Sequence, residues 1–522
     1  MCDLTFFVKD KLDIPSAAEV DQLDSKSAKG LLKQLVVLVS TLYALIDDLR
    51  QTLASQVEAN EAQRHQIAQF QRALFGPSSE RVIPVERELK AKQKREETPE
   101  EAEKRAQKAK ERREKNAQKK KDEAKKEVVD LPIDTDECEA CGTPSDRASR
   151  LSPQISYMYE YVPAHFVLKE FRQERAVCQC SNFLYGPTPE RVDDQVMYGP
   201  GLHANVVVSK LGDSLPLERQ AKRFRRANIP MSRSSLNDIY HRSAQLFRPL
   251  WVRSVEKVAE AKDVSADETQ IKVQDDEKCR TAWVWTFIAD GLVTYVYSPS
   301  RSGETPRKVL GQTQGTLQVD GYTGYNKVTC PKGRKRAGCW AHARRKFFEA
   351  MATAPDEARH VLDEILSLYE VEYEAHEKGI FATEAHQLLR QTKSKPIVDR
   401  LVEWLEGEKE KWPPKSPLGK AIKYLLNQQK PLRLFLENPK VALDNNLSER
   451  NLRLVALGRK NFLFVGHDAA GENLAILQTL VSSCIANGIN PQDYLADVIM
   501  RVQHHPQSRI DELLPDQWKP PD

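Results

Sequence analysis

The chain has 522 residues, 40% hydrophobic and 30% charged, with 79 Lys+Arg against 75 Asp+Glu for a formal net charge of +4. At about 100–200 residues per domain the length is too great for one ordinary unit, and roughly three to four are expected. The near-balance of charge excludes a plain polycationic nucleic-acid binder but leaves room for local basic patches. Nine cysteines are too sparse for a disulfide-stapled secreted protein. Met1-Cys2-Asp3-Leu4 lacks the basic-then-apolar pattern of a secretory leader. The most apolar run, Leu35 to Ile46, is too short to span a bilayer, so a reducing cytosol and no membrane are expected.

Ala28, Leu31, Leu35, Leu38, Leu42, Leu45 and Leu49 recur in alternating steps of three and four, the a/d spacing of a coiled-coil seam. A coiled-coil helix within 25–85 that pairs two protomers is one reading; a helix packed on its own protein is the other. Residues 86–127 are a run of Lys, Arg, Glu, Gln and Ala that cannot bury enough surface to fold alone, a charged linker that is either a solvated helix or a disordered spacer. Residues 128–190 carry Cys138-x-x-Cys141-Gly142 and Cys178-x-Cys180, with β-branched and aromatic residues from Ile155 to Phe171 that suit a hairpin. Two close thiolate pairs are what tetrahedral Zn²⁺ takes, and four thiolates leave no open position for chemistry, so a structural zinc unit is expected.

Residues 199–255 read as helical. A basic helix, Leu217 to Arg226, precedes the turn Ala227 to Met231, and Ser232 is a good N-cap for a second helix through Phe247. With Arg223, Arg225, Arg226 and Arg233 clustered there, the segment is either a DNA-binding helix-turn-helix or a helical connector with a basic solvent face.

From Val264 the pattern changes to strands: Thr269 to Val273, Thr281 to Ala289, Leu292 to Tyr297, then a short helix at Pro306 to Gly311, a fourth strand at Thr316 to Val319 and a fifth at Arg336 to Trp340. Trp283, Trp285 and Phe287 alternate on one side of the second strand, as core residues do, and Cys279, Cys330, Cys339 and Cys484 read as buried thiols. This succession opens a ribonuclease-H-like α/β core at 260–345, interrupted by a helical insertion at 346–440, resumed at 441–470, and followed by a C-terminal helical region at 471–522. Asp267 stands at the start of the first strand and Asp320 at the end of the fourth. Paired carboxylates of this kind suit Mg²⁺ or Mn²⁺ and two-metal phosphoryl transfer. A third acid comes from Asp444-Asn445-Asn446-Leu447-Ser448-Glu449-Arg450, where Glu449 and Asp444 compete and Asp444 is also a plausible N-cap. His342 with Arg344-Arg345, and Arg450 with Arg459-Lys460, are basic groups able to meet DNA phosphates beside those acids.

An ordered set of motifs resembles the insertion-sequence-66 family of DDE transposases. They are Phe75-Gly76 with Ser79-Glu80, the Cys138-x-x-Cys141-Gly142 knuckle, Lys210 followed by Leu215-Pro216-Leu217-Glu218-Arg219-Gln220, and Ala266-Asp267-Glu268-Thr269. Asp320-Gly321-Tyr322, the Cys339-to-Phe347 block, Lys415 to Ala421, Asp444-Asn445-Asn446-x-x-Glu449-Arg450 and Gly458 to Asn461 continue it. The resemblance implies a transposase that cleaves the ends of a mobile DNA element and joins the 3′-OH ends to target DNA, with Asp267, Asp320 and Glu449 as metal-binding acids. It also implies terminal-repeat and target DNA as partners, at least a homodimer, and accessory proteins of the same element. Cys178-x-Cys180 is shorter than the family's usual second pair. The competing class is a non-catalytic, zinc-containing DNA-binding protein with a degenerate nuclease-like body.

Overall fold

The computed structural model describes residues 198–520 apart from 230, 277 and 312. It also describes 99–123, 169–177, 183–185, 191–192, the single residues 88 and 144, and scattered positions from 30 to 56. The chain divides into two units, one of Met1–Val82, Arg191–Leu217 and Asn237–Asp522, the other of Ile83–Glu190 and Glu218–Leu236. Among the described residues no helix is long and apolar enough to cross a membrane.

The smaller unit contains helix α1 (Pro99–Glu123), the charged run expected as a linker, and a short antiparallel hairpin of β1 (Arg175–Val177) and β2 (Phe183–Tyr185). The hairpin expected between Ile155 and Phe171 falls outside the described residues except for 169–171, which form no strand. Cys138, Cys141, Cys178 and Cys180 also lie outside them. The chain then passes through α2 (Pro200–Leu211) of the larger unit and α3 (Leu217–Arg226) to α4 (Arg233–Glu260), whose first residues close the smaller unit. The turn between α3 and α4 uses Asn228 at φ 59°, a conformation that asparagine tolerates. Ser232 Oγ accepts from the Ser235 amide at 3.0 Å, capping α4. Arg225, Arg226 and Arg233 are exposed and Arg223 is half-buried. α4 does not stop near Phe247. It runs on through Pro249, held by buried Leu250 and by Trp251, whose Nε1 donates to Tyr295 O at 2.8 Å.

The larger unit is built on a five-stranded mixed sheet of β3 (Asp263–Gln274), β4 (Cys279–Ala289), β5 (Leu292–Ser298), β6 (Thr316–Gln318) and β7 (Lys335–Ala337), with α5 (Glu304–Leu310) between β5 and β6. Its order is β5-β4-β3-β6-β7, antiparallel from β5 to β3 and parallel from β3 to β7. Asp290-Gly291, both at positive φ (46° and 83°), makes the two-residue turn that matches strand twist and fixes the β4–β5 register. One face packs Ala266, Trp285, Phe287, Leu317 and Tyr325 into a core. The residues between them, Val284 and Thr286, are buried as well, so β4 reads as a nearly continuous apolar run.

Between β7 and the return to the sheet lie α6 (Trp340–Ala350), α7 (Pro355–Glu377), α8 (Glu384–Leu389), α9 (Lys395–Glu408), α10 (Pro417–Asn427) and α11 (Gln429–Arg433). Residues 340–445 are all described and contain no strand. They have a core of their own, with Trp340, Phe347, Ile365, Leu401, Leu425 and Phe435 at its centre. α12 (Asn446–Phe462) packs on β3, α13 (Asp468–Ala486) packs on β5, and α14 (Pro491–Arg501) packs on α2. Thr479 and Ser483 of α13 accept the amides of Tyr295 and Val293, each at 2.9 Å.

Three sequence expectations shift. β3 begins at Asp263, because its first three residues pair in parallel with β6, so Asp267 is inside the strand and not at its start. β7 ends at Ala337, and Trp340 opens a helix because its ring belongs to the helical core. Of the four thiols read as buried, Cys339 and Cys484 are, whereas Cys279 and Cys330 are exposed.

Candidate functional site

The site forms where β3, the end of β6 and the start of α12 meet. Register pairs Asp267 with Thr286 and Glu268 with Trp285, so the two neighbouring acids leave β3 on opposite faces. Asp267 is largely buried, and its Oδ1 accepts from the Glu268 amide at 2.8 Å. Burial pushes its carboxyl up to about 7, helped by the charges of Glu268, Asp320 and Glu449, while the amide bond pulls the other way. Among the described residues Asp267 has no cationic partner. Asp320 follows the last residue of β6 by two positions and accepts from the Tyr322 amide at 2.9 Å.

Glu449 lies in the first turn of α12, and the loop before it is pinned to the sheet at several points. Asn445 Nδ2 donates to Ala266 O at 2.9 Å, one residue from Asp267, and the Asn445 amide donates to Cys339 Sγ at 3.3 Å. Gln318 Nε2 donates to Ala442 O at 2.6 Å and Asp444 O at 3.0 Å. His342 Nε2 is 3.8 Å from Glu449 Oε1. Burial draws His342 below its ordinary value, against the pull of Glu449 and Asp320.

Asp444 is committed elsewhere. Its Oδ2 accepts from Tyr369 OH at 2.9 Å and Asn446 Nδ2 at 2.7 Å, and its Oδ1 accepts from the Asn446 amide at 3.1 Å. It therefore anchors the start of α12, while the N-cap position itself is Asn445. Of the two acids that competed as the third member, Glu449 is the one whose charge acts on Asp267.

The cations separate by exposure. Arg344 is 3% exposed, on the buried stripe of α6 with Trp340, Ala343 and Phe347, which removes it from the surface set. Arg345 is exposed one position on, as are Arg450 and Lys460 on α12. Arg459 is half-buried and donates to Thr269 Oγ1 at 3.3 Å and to Gln270 O, tying α12 to β3.

Sequence reasoning missed the group on the other side of β3. Glu268 receives Arg301 and Tyr325, and Arg301 lies against Trp283 and Tyr322. Burial raises the Glu268 carboxyl, and the hydrogen bonds from Tyr325 and Arg301 oppose it. Strand alternation could have separated Glu268 from Asp267, but Arg301 sits in the loop between β5 and α5, with no periodicity to read.

Three carboxylates without a thiol are a hard-oxygen donor set suited to a divalent cation, and their mutual repulsion is what such an ion relieves. As the side chains stand, no group of three or more His, Cys, Asp or Glu among the described residues is set to hold a metal ion.

The described family of transposases named IS66 matches residues 195–473, and the IS66 C-terminal element matches residues 479–515. The chain is 33% identical over 407 residues to the uncharacterized protein y4hP of Sinorhizobium fredii, covering 73% of each. It is 33% identical over 405 residues to the uncharacterized protein y4jD of the same organism, covering 73% of this chain and 79% of that one. The first match takes in the whole sheet, the helical insertion and α12 with Glu449, so the chain belongs to the IS66 family of transposases.

Proposed function

We propose that the chain cleaves phosphodiester bonds at the ends of a mobile DNA element and joins the freed 3′-OH ends to target DNA. In the first step water displaces a 3′-oxygen at each end. In the second, that 3′-hydroxyl attacks a target phosphodiester and displaces a new 3′-oxygen. The observation that carries this reading is the convergence of Asp267, Asp320 and Glu449, three acids distant in sequence whose charges act on one another. The strand order, with the first and fourth strands of the sheet parallel neighbours, supports a ribonuclease-H-like core.

Asp267, Asp320 and Glu449 would hold Mg²⁺ or Mn²⁺, and ions there would act as Lewis acids on the attacking and leaving oxygens. The chain's own groups do the rest. Asn445 and Gln318 fix the acids in mutual reach, and His342 sits against Glu449 to orient it. Arg345, Arg450 and Lys460 meet DNA phosphates beside the acids, and Arg223, Arg225, Arg226 and Arg233 offer a basic surface for DNA at the α3–α4 turn. A structural zinc on Cys138, Cys141, Cys178 and Cys180 and a paired N-terminal helix complete the proposal. Exposed Leu42, Leu45 and Leu49 in that helix support the pairing.

Incubating the purified chain with labelled element-end DNA, a target plasmid and Mg²⁺ tests it. Joined products are expected. Asp267→Asn should abolish both cleavage and joining while end-DNA binding stays within about twofold. Nicks without joining indicate a nuclease, shifted but intact DNA indicates a binding protein, and an Asp267→Asn chain that still cleaves removes Asp267 from the site.

A further inference from the structure

Arg301 is held more firmly than a half-exposed surface arginine needs to be. Its Nε and Nη2 donate to Glu268 Oε1 at 2.9 and 2.7 Å. The other Glu268 oxygen accepts from Tyr325 OH at 2.7 Å. The guanidinium carbon lies 4.1 Å from the Tyr322 ring centre and 4.8 Å from a Trp283 ring centre. Tyr322 OH also donates to Arg301 O, and the Tyr322 amide donates to Asp320 Oδ1. Side chain, flat faces and backbone are thus gripped together, and the grip is continuous with Asp320.

This arrangement is costly. The Glu268 side chain is 1% exposed and stands next in sequence to Asp267. Burying one carboxylate of an ion pair is weak evidence for stability, since apolar residues of similar volume often do as well. The cost is explained if Glu268 serves to aim Arg301. A guanidinium has five N–H donors in a rigid fork. Glu268 engages the Nε edge, and among the described residues Nη1 donates to no protein acceptor. The Arg301 side chain keeps 43% of its surface exposed. A guanidinium held on one edge by Glu268, with two aromatic rings against it and Nη1 unused beside an acidic active site, is preorganised to take a phosphate oxygen.

We propose that Arg301 is a DNA-phosphate clamp of the active site, donating from its free edge to a backbone phosphate of the strand that Asp320 faces. Glu268, Tyr325 and Tyr322 are its positioning residues. The proposal rests on the transposase reading above and adds a contact to it.

The test uses the full chain and labelled element-end DNA. Binding is measured across a salt series and cleavage under saturating DNA, for the wild type and for Arg301→Gln, Arg301→Lys and Glu268→Gln. Losing one phosphate contact lowers the slope of log affinity against log salt by about 0.9. Arg301→Gln should show that drop and at least tenfold slower cleavage. Arg301→Lys should keep the slope but cleave more slowly than wild type, since it restores charge without the fork. Glu268→Gln should cleave more slowly with the slope unchanged. Circular dichroism and thermal melting show whether each variant folds; if the glutamine variant does not, the lysine variant decides, and wild-type cleavage by it overturns the clamp. An Arg301→Gln chain with wild-type slope and cleavage overturns the clamp and leaves Arg301 as a counter-ion for Glu268. A wild-type chain that cleaves in the same assay keeps the transposase reading intact through that failure. A wild-type chain that neither binds nor cleaves end DNA overturns both.

Discussion

His203 shows how one buried side chain sets a pH limit on the fold. Its Nδ1 is 2.9 Å from Ser243 Oγ, and Ser243 Oγ already donates to Ile239 O at 2.8 Å, so Nδ1 carries the proton. Nε2 is buried without a partner, which suits a neutral ring. Burial lowers its pKa from 6.5 to about 4. Below about pH 6.5 the unfolded chain therefore binds a proton that the folded chain refuses until about pH 4, and stability falls across that window as pH drops. Between pH 7 and pH 5 the loss is ~2 kcal/mol from this residue. His203→Gln should remove that share, so the difference between its urea midpoint and that of the wild type should change in its favour from pH 7 to pH 5. A constant difference would mean that His203 titrates alike in both states. The same scale shows why the site was only partly legible. Asp267, Asp320 and Glu449 stand in recognisable motifs, but nothing in Asp444-Asn445-Asn446 tells which carboxylate is consumed by hydrogen bonds. That depends on Tyr369, brought from the distant helix α7. Arg344 and Arg345 read alike until the buried stripe of α6 separates them.

At the scale of elements, the local code of turns and caps was the easiest part to read. The Ser232 cap and the limits of α3 follow from residues at the positions themselves. What tertiary packing decides was not legible: the run of α4 through Pro249, and the early start of β3 against β6. On the proposed function, catalysis depends on the joint between α12 and β3. Asn445 is 1% exposed, and its Nδ2 bond to Ala266 O is the closest tie between the turn that leads to Glu449 and the strand that carries Asp267. Asn445→Ala strands a buried carbonyl, at a cost of about 1–3 kcal/mol. It also frees the start of α12 to drift, and small misplacements of catalytic groups are expensive in rate. The expected outcome is cleavage slowed at least tenfold at saturating DNA, with binding changed less than threefold. Equal loss in binding and turnover would instead point to general unfolding.

For the whole molecule, the net charge of +4 conceals a division of labour. Acids gather at one site of the larger unit, with exposed Arg345 on α6 and Arg450 and Lys460 on α12, and the smaller unit carries exposed cations of its own at the α3–α4 turn. Two element ends must be brought together for joining, whereas each can be cleaved alone, so protomer pairing should matter more to the second step than to the first. The described positions from 30 to 56 are helical, and Leu42 and Leu45 are 40% and 45% exposed, which is unusual for a heptad seam unless another helix covers it. Replacing both with Glu sets like charges against each other across such a seam, because a and d positions of two strands face one another. Light scattering should then report a monomer where the wild type gives a dimer or larger species. End-DNA binding should weaken in proportion to lost avidity, and joined products should fall at least tenfold more than nicks. If the double variant keeps its mass, the leucines pack on their own chain, and pairing of the ends must come from another surface.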